Sequence, residues 1–319
     1  MKMDITSFAE AVRTEIVKKL GTEYQVTVER KNKNNKVIYT GLHISKKGMK
    51  AEPLVYLDDY FEQYQKGNIT LSETVEYVAR ASRGKSSAVD MTNFLEYEKI
   101  KDSIVYRLIN TEMNREFLED LPHLEFLDLS VVFRCLVTEE GRSQAFIWIH
   151  NVHMKLWDVT IEELYQTAAE NTQRLEKPEI MEIEEVLNHV MKEEGSGLYD
   201  HDRFMEKQSD RNDYAECTEK CSAALTVYVL SNRERLEGAA CMLYPDLFRK
   251  LSDVMDSSYY IIPSSIHELL LIPSADFTDR EEIKAVIREV NDNQVRPEER
   301  LSYSLYGYDK KNGRIEILC

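Results

Sequence analysis

The sequence predicts an α+β protein: a mainly antiparallel sheet with packed helices, preceded by a smaller N-terminal region of helix and hairpin. Two observations carry this. Leu127, Leu129, Val131, Phe133, Cys135 and Val137 alternate with Asp128, Ser130 and Arg134, the period-two signature of a half-buried strand. Strand-like runs also come in hairpin pairs with helices interspersed irregularly, which argues against a doubly wound parallel sheet. At 319 residues the chain is long enough for two domains. The division is expected as 1–110 (helix, basic hairpin and further helices) and 111–319 (the α+β domain).

The elements follow in order. Ile5, Phe8, Ala9, Val12, Ile16 and Leu20 share one helical face, and Gly21 is placed to end that helix. Residues 24–30 and 36–45 form a hairpin turning at Asn32–Asn35. Helices are expected at 55–66, 71–82 and, as one longer stretch, 90–110, with a loop at Ser82–Ser87. After the 127–137 strand, a turn at Glu139–Arg142 leads to a second strand over 144–154. Thr160 and Glu163 make a capping box for the next helix. Ile183 to Met191 reads as a helix and 195–221 as a polar loop. Strands are expected at 224–230, 238–244, 259–262 and 266–272, with a helix opened by Pro245 among them. A second capping box, Thr278 with Glu281, opens a helix carrying Ile283, Val286, Ile287 and Val290. A last hairpin pairs 301–308 with 314–318.

Composition narrows the partners. A formal net charge of -16 repels polyanions, which disfavours nucleic acid and anionic membranes. The N-terminus lacks an apolar signal-peptide core, and no stretch has the ~18 uncharged apolar residues that span a bilayer. A cytoplasmic location is therefore expected. The five cysteines, an odd number in apolar or loop contexts, suit reduced thiols. One segment reverses the acidic background: residues 30–50 hold Arg30, Lys31, Lys33, Lys36, Lys46, Lys47 and Lys50 without an acidic residue. Such a hairpin suits an acidic or phosphate-bearing ligand, or simply the protection of a sheet edge. It lacks the interleaved aromatics that bind single strands.

The chain contains no G-x-G-x-x-G, Walker-type loop, H-E-x-x-H or G-x-S-x-G, so the commonest nucleotide, zinc-protease and hydrolase chemistries have no motif. Weaker candidates remain. His150, Asn151 and His153 close the second hairpin strand, where two histidines three apart point to opposite faces and cannot share an ion. Ser264, Ser265, His267 and Glu268 gather hydroxyl, imidazole and carboxylate in one strand, with Ser265 and His267 on one face. Cys217 and Cys221 lie near Asp200, His201 and Asp202 but lack a second ligand pair, so no metal is expected. Glu176, Glu179, Glu182, Glu184 and Glu185 read as the solvated first turn of a helix.

Several stretches taken together resemble one known family. They are REFLEDLPHLEFLDLSVVFRCLV, FIWIHNVHMKLW, YVLSNRERLEGAACMLYP, YYIIPSSIHELLLIP and NDNQVRPEERLSYSLYGYDKKNGRIEIL. The sequence is similar to members of the bacterial domain-of-unknown-function family 5688, found in gut-dwelling Firmicutes, over nearly its whole length. The resemblance implies a bacterial, cytoplasmic protein and carries over no catalytic residue or cofactor. The expected function is a binding or regulatory module that engages a protein or small ligand without catalysis. The alternative is a hydrolase-type enzyme using His267 with a nearby serine or carboxylate.

Overall fold

A computed structural model describes residues 3–46, 53–82, 91–138, 144–185, 226–274 and 279–318. The chain is α+β and divides into two compact units, Met1–Met91 and Thr92–Cys319. Among the described residues every strand pairing is antiparallel. No helix among them is long and apolar enough to cross a membrane.

In the first unit, helix α1 (Ile5–Leu20) starts where the Asp4 carboxylate accepts the Ser7 N–H at 2.7 Å and stops at Gly21, whose φ of 100° suits only glycine. Its face of Phe8, Ala9, Val12 and Ile16 is fully buried against a meander of β1 (Tyr24–Asn32), β2 (Ile38–Lys46) and β3 (Leu54–Tyr56). Helices α2 (Asp58–Lys66) and α3 (Leu71–Ala81) complete this core, the latter opened by a Thr70–Glu73 capping box. The hairpin expectation holds. Its turn places Asn35 and Lys36 at left-handed φ values of 57° and 61°.

The second unit begins with two short helices, α4 (Met91–Phe94) and α5 (Tyr97–Ile100), followed by β4 (Ile104–Asn110). The single long helix expected over 90–110 is thus corrected. Ile104-Val105-Tyr106-Arg107-Leu108-Ile109 is a short β-branched and aromatic run buried on both faces, and periodicity alone cannot tell such a strand from a helix. After α6 (Arg115–Leu118), strands β5 (His123–Phe126) and β6 (Leu129–Thr138) pair through a two-residue turn with Leu127 at φ 58°. Leu127 therefore lies in a turn and not in the alternating strand. Strand β7 (Gln144–Trp148) pairs with the far half of β6, so β5 and β7 lie end to end along one edge, with β4 on the other.

Helices α7 (Asn151–Trp157) and α8 (Ile161–Leu175) follow. The strand expected to run to 154 ends at Trp148, because His150 caps the start of α7. The Thr160–Glu163 box opens α8 as its spacing predicts.

A second sheet takes the order β13-β12-β10-β11-β9-β8. Its strands are β8 (Pro178–Glu182), β9 (Tyr228–Asn232), β10 (Tyr259–Ile262), β11 (Leu269–Pro273), β12 (Tyr306–Asp309) and β13 (Arg314–Ile317). One face shares a core with the first sheet, where Tyr106, Phe133, Tyr259, Ile261, Leu271 and Tyr306 meet. The other packs on α10 (Arg280–Asn293) through Ile283 and Ile287, after α9 (Leu247–Met255).

The expected strand at 238–244 is instead a 3-10 turn, Gly238–Leu243. Gly238 sits where a side chain would overlap Ser231 and Asn232 and lie 2.8 Å from the His267 carbonyl, and the small Ala239 and Ala240 follow into the core. The capping residue of α10 is Asp279, which accepts the Glu281 and Glu282 N–H groups. The expectations at Thr278, Ser82–Ser87 beyond Ser82, Glu139–Arg142, 186–191 and 195–221 lie outside the described residues.

Candidate functional site

Two arginines missed as site residues lie at the centre of the second unit. β4 and β6 run antiparallel with Arg107 opposite Val132 and Val105 opposite Arg134, so both guanidinium side chains leave the same face as diagonal neighbours. Both are buried, at 3% and 2% exposure. Arg107 donates from Nη1 to the Tyr106 carbonyl at 2.7 Å and to Glu176 at 2.9 Å, with Nη2 on the other Glu176 oxygen. Its Nε donates to Glu237 at 2.9 Å, and Arg134 contacts the same carboxylate. Two cations and two carboxylates therefore form one balanced, nearly dry network, the condition under which buried charge is tolerated.

The Arg134 guanidinium also lies 3.8 Å from the Phe146 ring centre and 5.1 Å from that of Trp148. Burial first, and Arg107 second, hold its pKa well below the usual arginine range. On the Arg134 face of β6, Ser130, Val132 and Arg134 are all buried, which corrects the half-buried strand over that stretch. Glu176 is likewise no solvated first-turn residue. It ends α8, with Glu179 and Glu182 on β8 and Glu184 and Glu185 beyond it.

The hydroxyl–imidazole–carboxylate group joins this network from below. Pro263 to Glu268 is an irregular link between β10 and β11, not part of a strand, so its side chains do not alternate. His267 Nδ1 accepts the Glu237 N–H at 3.0 Å, which fixes Nδ1 as unprotonated, and Nε2 lies 3.7 Å from a Glu299 oxygen. The Ser265 hydroxyl accepts the His267 backbone N–H at 3.0 Å. A serine hydrolase needs the imidazole to accept from the hydroxyl and donate to the carboxylate through its other nitrogen. Here the imidazole accepts from backbone.

Ser264, Ser265 and Glu268 are buried at 6%, 3% and 8% exposure. The Glu237 backbone, at a left-handed φ of 54°, is held further by Asn232, whose side chain bonds both the N–H and the carbonyl of Leu236. What this arrangement does chemically is anchor a loop.

The other candidates separate from it. His150 is the N-cap of α7, and its N–H donates to His153 Nδ1 at 2.9 Å. In a helix, residues three apart lie on one side, so the opposite-face argument does not apply. His153 nevertheless stacks on Trp157 at 5.6 Å and meets Phe94 edge-on at 4.9 Å, a packing role. Burial and then the His150 charge lower its pKa. The Asn151 amide donates to the Glu119 carbonyl at 3.0 Å.

In the first unit, Lys31 pairs with Glu29 at 2.8 Å, Lys46 pairs with Glu23 at 3.1 Å, and Lys33 lies 4.0 Å from the Tyr56 ring centre. Lys36 follows in the turn. Lys31, Lys33 and Lys46 thus have partners within the fold, while Lys47 and Lys50 lie outside the described residues. Cys135 and Cys241 are free and buried, while Cys217 and Cys221 lie outside the described residues. Among the described residues no three of His, Cys, Asp and Glu gather as a metal site.

A groove of about 740 Å³ opens between α5, the end of α7 and α8. Its apolar floor is Leu95, Tyr97, Leu156, Trp157 and Val159. Leu95 and Leu156 stand 60% and 56% exposed. Hydrogen bonds tie its walls together. Trp157 Nε1 donates to the Phe94 carbonyl at 3.1 Å, Tyr97 and Thr167 hydroxyls meet at 2.9 Å, and the Asn171 amide donates to Lys101 and Ile104 carbonyls at 2.6 and 3.0 Å. Its rim carries Glu96, Glu98, Asp158, Glu163 and Glu170 against Lys101. The sequence carries no signal for it, since Leu95 falls inside the stretch that reads as one long helix over 90–110.

No curated protein and no solved structure matches the chain. A family model does match, over residues 5–310, so the chain belongs to DUF5688, a family of unknown function.

Proposed function

We propose that this protein is a non-enzymatic binding module whose recognition surface is the groove between α5, α7 and α8. The observation that carries the reading is the groove itself. It exposes two large leucines on a floor whose walls are held by hydrogen bonds that join α4 to α7 and α5 to α8. Apolar side chains left in water on a rigid support favour burial by a partner, at roughly 25 cal/mol per Å² covered. Rigid walls spare the partner the cost of ordering them. The use of His267 and Ser265 as acceptors of backbone N–H groups supports the same reading, since neither is poised toward the other's reactive atom.

Trp157 reports on the groove from within. In a Trp148→Phe background it is the sole tryptophan. A fragment library screened by its emission is expected to give saturable hits that Leu156→Ser removes. A panel of ester and phosphoester substrates is expected to show no turnover. Turnover that His267→Gln abolishes, with no Leu156-dependent binding, would overturn the proposal.

A further inference from the structure

We infer that the occupant of this groove is a cationic amphipathic segment of a partner protein, its apolar side chains on the Leu95–Leu156 floor and its lysines or arginines against the rim. This rests on the groove being the recognition surface and goes further by naming the partner's chemistry. The rim argues for it. Five carboxylates and one lysine line the groove. Glu98 pairs with Lys101 at 2.7 Å, Glu96 pairs with Lys99 at 2.6 Å, and Glu163 is engaged in capping α8. Asp158 and Glu170 have no cationic partner among the described residues, and both are exposed.

Asp158 follows directly on Trp157 at a left-handed φ of 53°, and Glu170 stands two helical turns along α8 from Glu163. The rise of an α-helix puts those two glutamates about 10 Å apart along the axis, the span of two turns of a docked segment. The volume matches a cleft for a few anchoring side chains rather than a whole helix, so the segment lies across the opening with its polar face outward.

The charge pattern excludes the opposite choice. An acidic or phosphorylated segment would set its charges against an uncompensated rim, and apolar contact alone would not repay that. The whole chain, at -16, also draws cations toward itself, which makes a local control necessary.

The test uses two fluorescently labelled peptides with leucines at identical helical spacing, one carrying lysines elsewhere and the other glutamines. They are titrated by anisotropy into the full-length protein and three variants. One variant is Leu95→Ser/Leu156→Ser. The second, Glu98→Gln/Asp158→Asn/Glu170→Gln, removes three of the five rim carboxylates, both of the unpaired ones among them. The third, Glu125→Gln/Glu234→Gln/Glu316→Gln, removes the same charge from exposed positions elsewhere.

The inference expects the lysine peptide to bind at least about tenfold tighter than its glutamine twin at low salt, an advantage screened away in high salt. The rim variant loses that advantage and the control variant keeps it. Equal, Leu156-dependent binding of both peptides would overturn the cationic partner and leave the groove standing. Equal loss in the rim and control variants would also overturn it, as attraction to the overall charge. Binding that ignores Leu95→Ser/Leu156→Ser would overturn the groove as well. Because both leucines and all substituted acids are exposed, unchanged far-ultraviolet circular dichroism is expected for every variant.

Discussion

Replacing Glu176 by alanine tests the buried network at the point where its charge balance is most exposed to failure. Arg107 and Glu176 side chains are 4% and 6% exposed and meet through two parallel N–H···O bonds. Without Glu176, two buried guanidinium groups are left sharing the single Glu237 carboxylate. Removing one partner of a buried pair costs about 3–5 kcal/mol, because the stranded charge is uncompensated. For a unit of this size each kcal/mol moves the melting temperature by about 2–4 °C, so a fall of roughly 6–20 °C follows. Urea denaturation followed by circular dichroism measures the loss directly. The double variant Arg107→Met/Glu176→Leu removes one cation with one anion and leaves Arg134 with Glu237 as a balanced pair. It is expected to be more stable than Glu176→Ala alone. A cost below about 1 kcal/mol for Glu176→Ala, or a double variant weaker than the single, would refute the charge-balance reasoning.

Three further predictions concern other parts of the second unit. Gly238→Ala drives a methyl group into Ser231, Asn232 and the His267 carbonyl, so a destabilisation of at least about 1–3 kcal/mol is expected in the same urea assay. Burial pushes the Cys241 thiol up to about 12 and the Cys135 thiol up to about 11, so neither alkylates with iodoacetamide in the native protein at neutral pH, and mass spectrometry will find both labelled only after denaturation. His153 has a folded pKa below its ordinary value, so in the window beneath about 6.5 the unfolded chain binds the proton more readily. Stability is complete above that window and falls as pH drops through it. The His153→Gln variant is expected to show a shallower slope between about pH 5 and 7.

Local signals in the sequence were reliable where one residue type had one physical solution. Gly21 ends α1 with a positive φ, Thr160 and Glu163 cap α8, and the α1 face of Phe8, Val12 and Ile16 is buried as its spacing requires. Signals failed where burial on both sides erased periodicity. Ile104–Asn110 read as helix because Tyr97, Ile100, Ile104 and Leu108 fall at helical spacing, although all seven positions prove buried, and Arg134 read as a solvent-facing strand residue because its charge hid its 2% exposure.

The arginine network was invisible for a related reason. Its four members come from β4, β6, the end of α8 and a loop before Gly238, and nothing in one segment announces a partner 69 or 130 positions away. His267 stands out in the sequence as a candidate acid or base, whereas in the fold its Nδ1 receives a backbone N–H. Its task of receiving the Glu237 N–H follows from a loop geometry that a strand assignment conceals.

The most direct test of the groove as a recognition surface is a TROSY map of the full-length protein titrated with the lysine-bearing amphipathic peptide. The expected result is saturable shifts concentrated on residues 95–101 and 156–170, with the Trp157 indole N–H among the largest, and no such response in Leu95→Ser/Leu156→Ser. Shifts spread over the acidic surface, or centred on the 24–46 hairpin with the groove unmoved, would contradict the account.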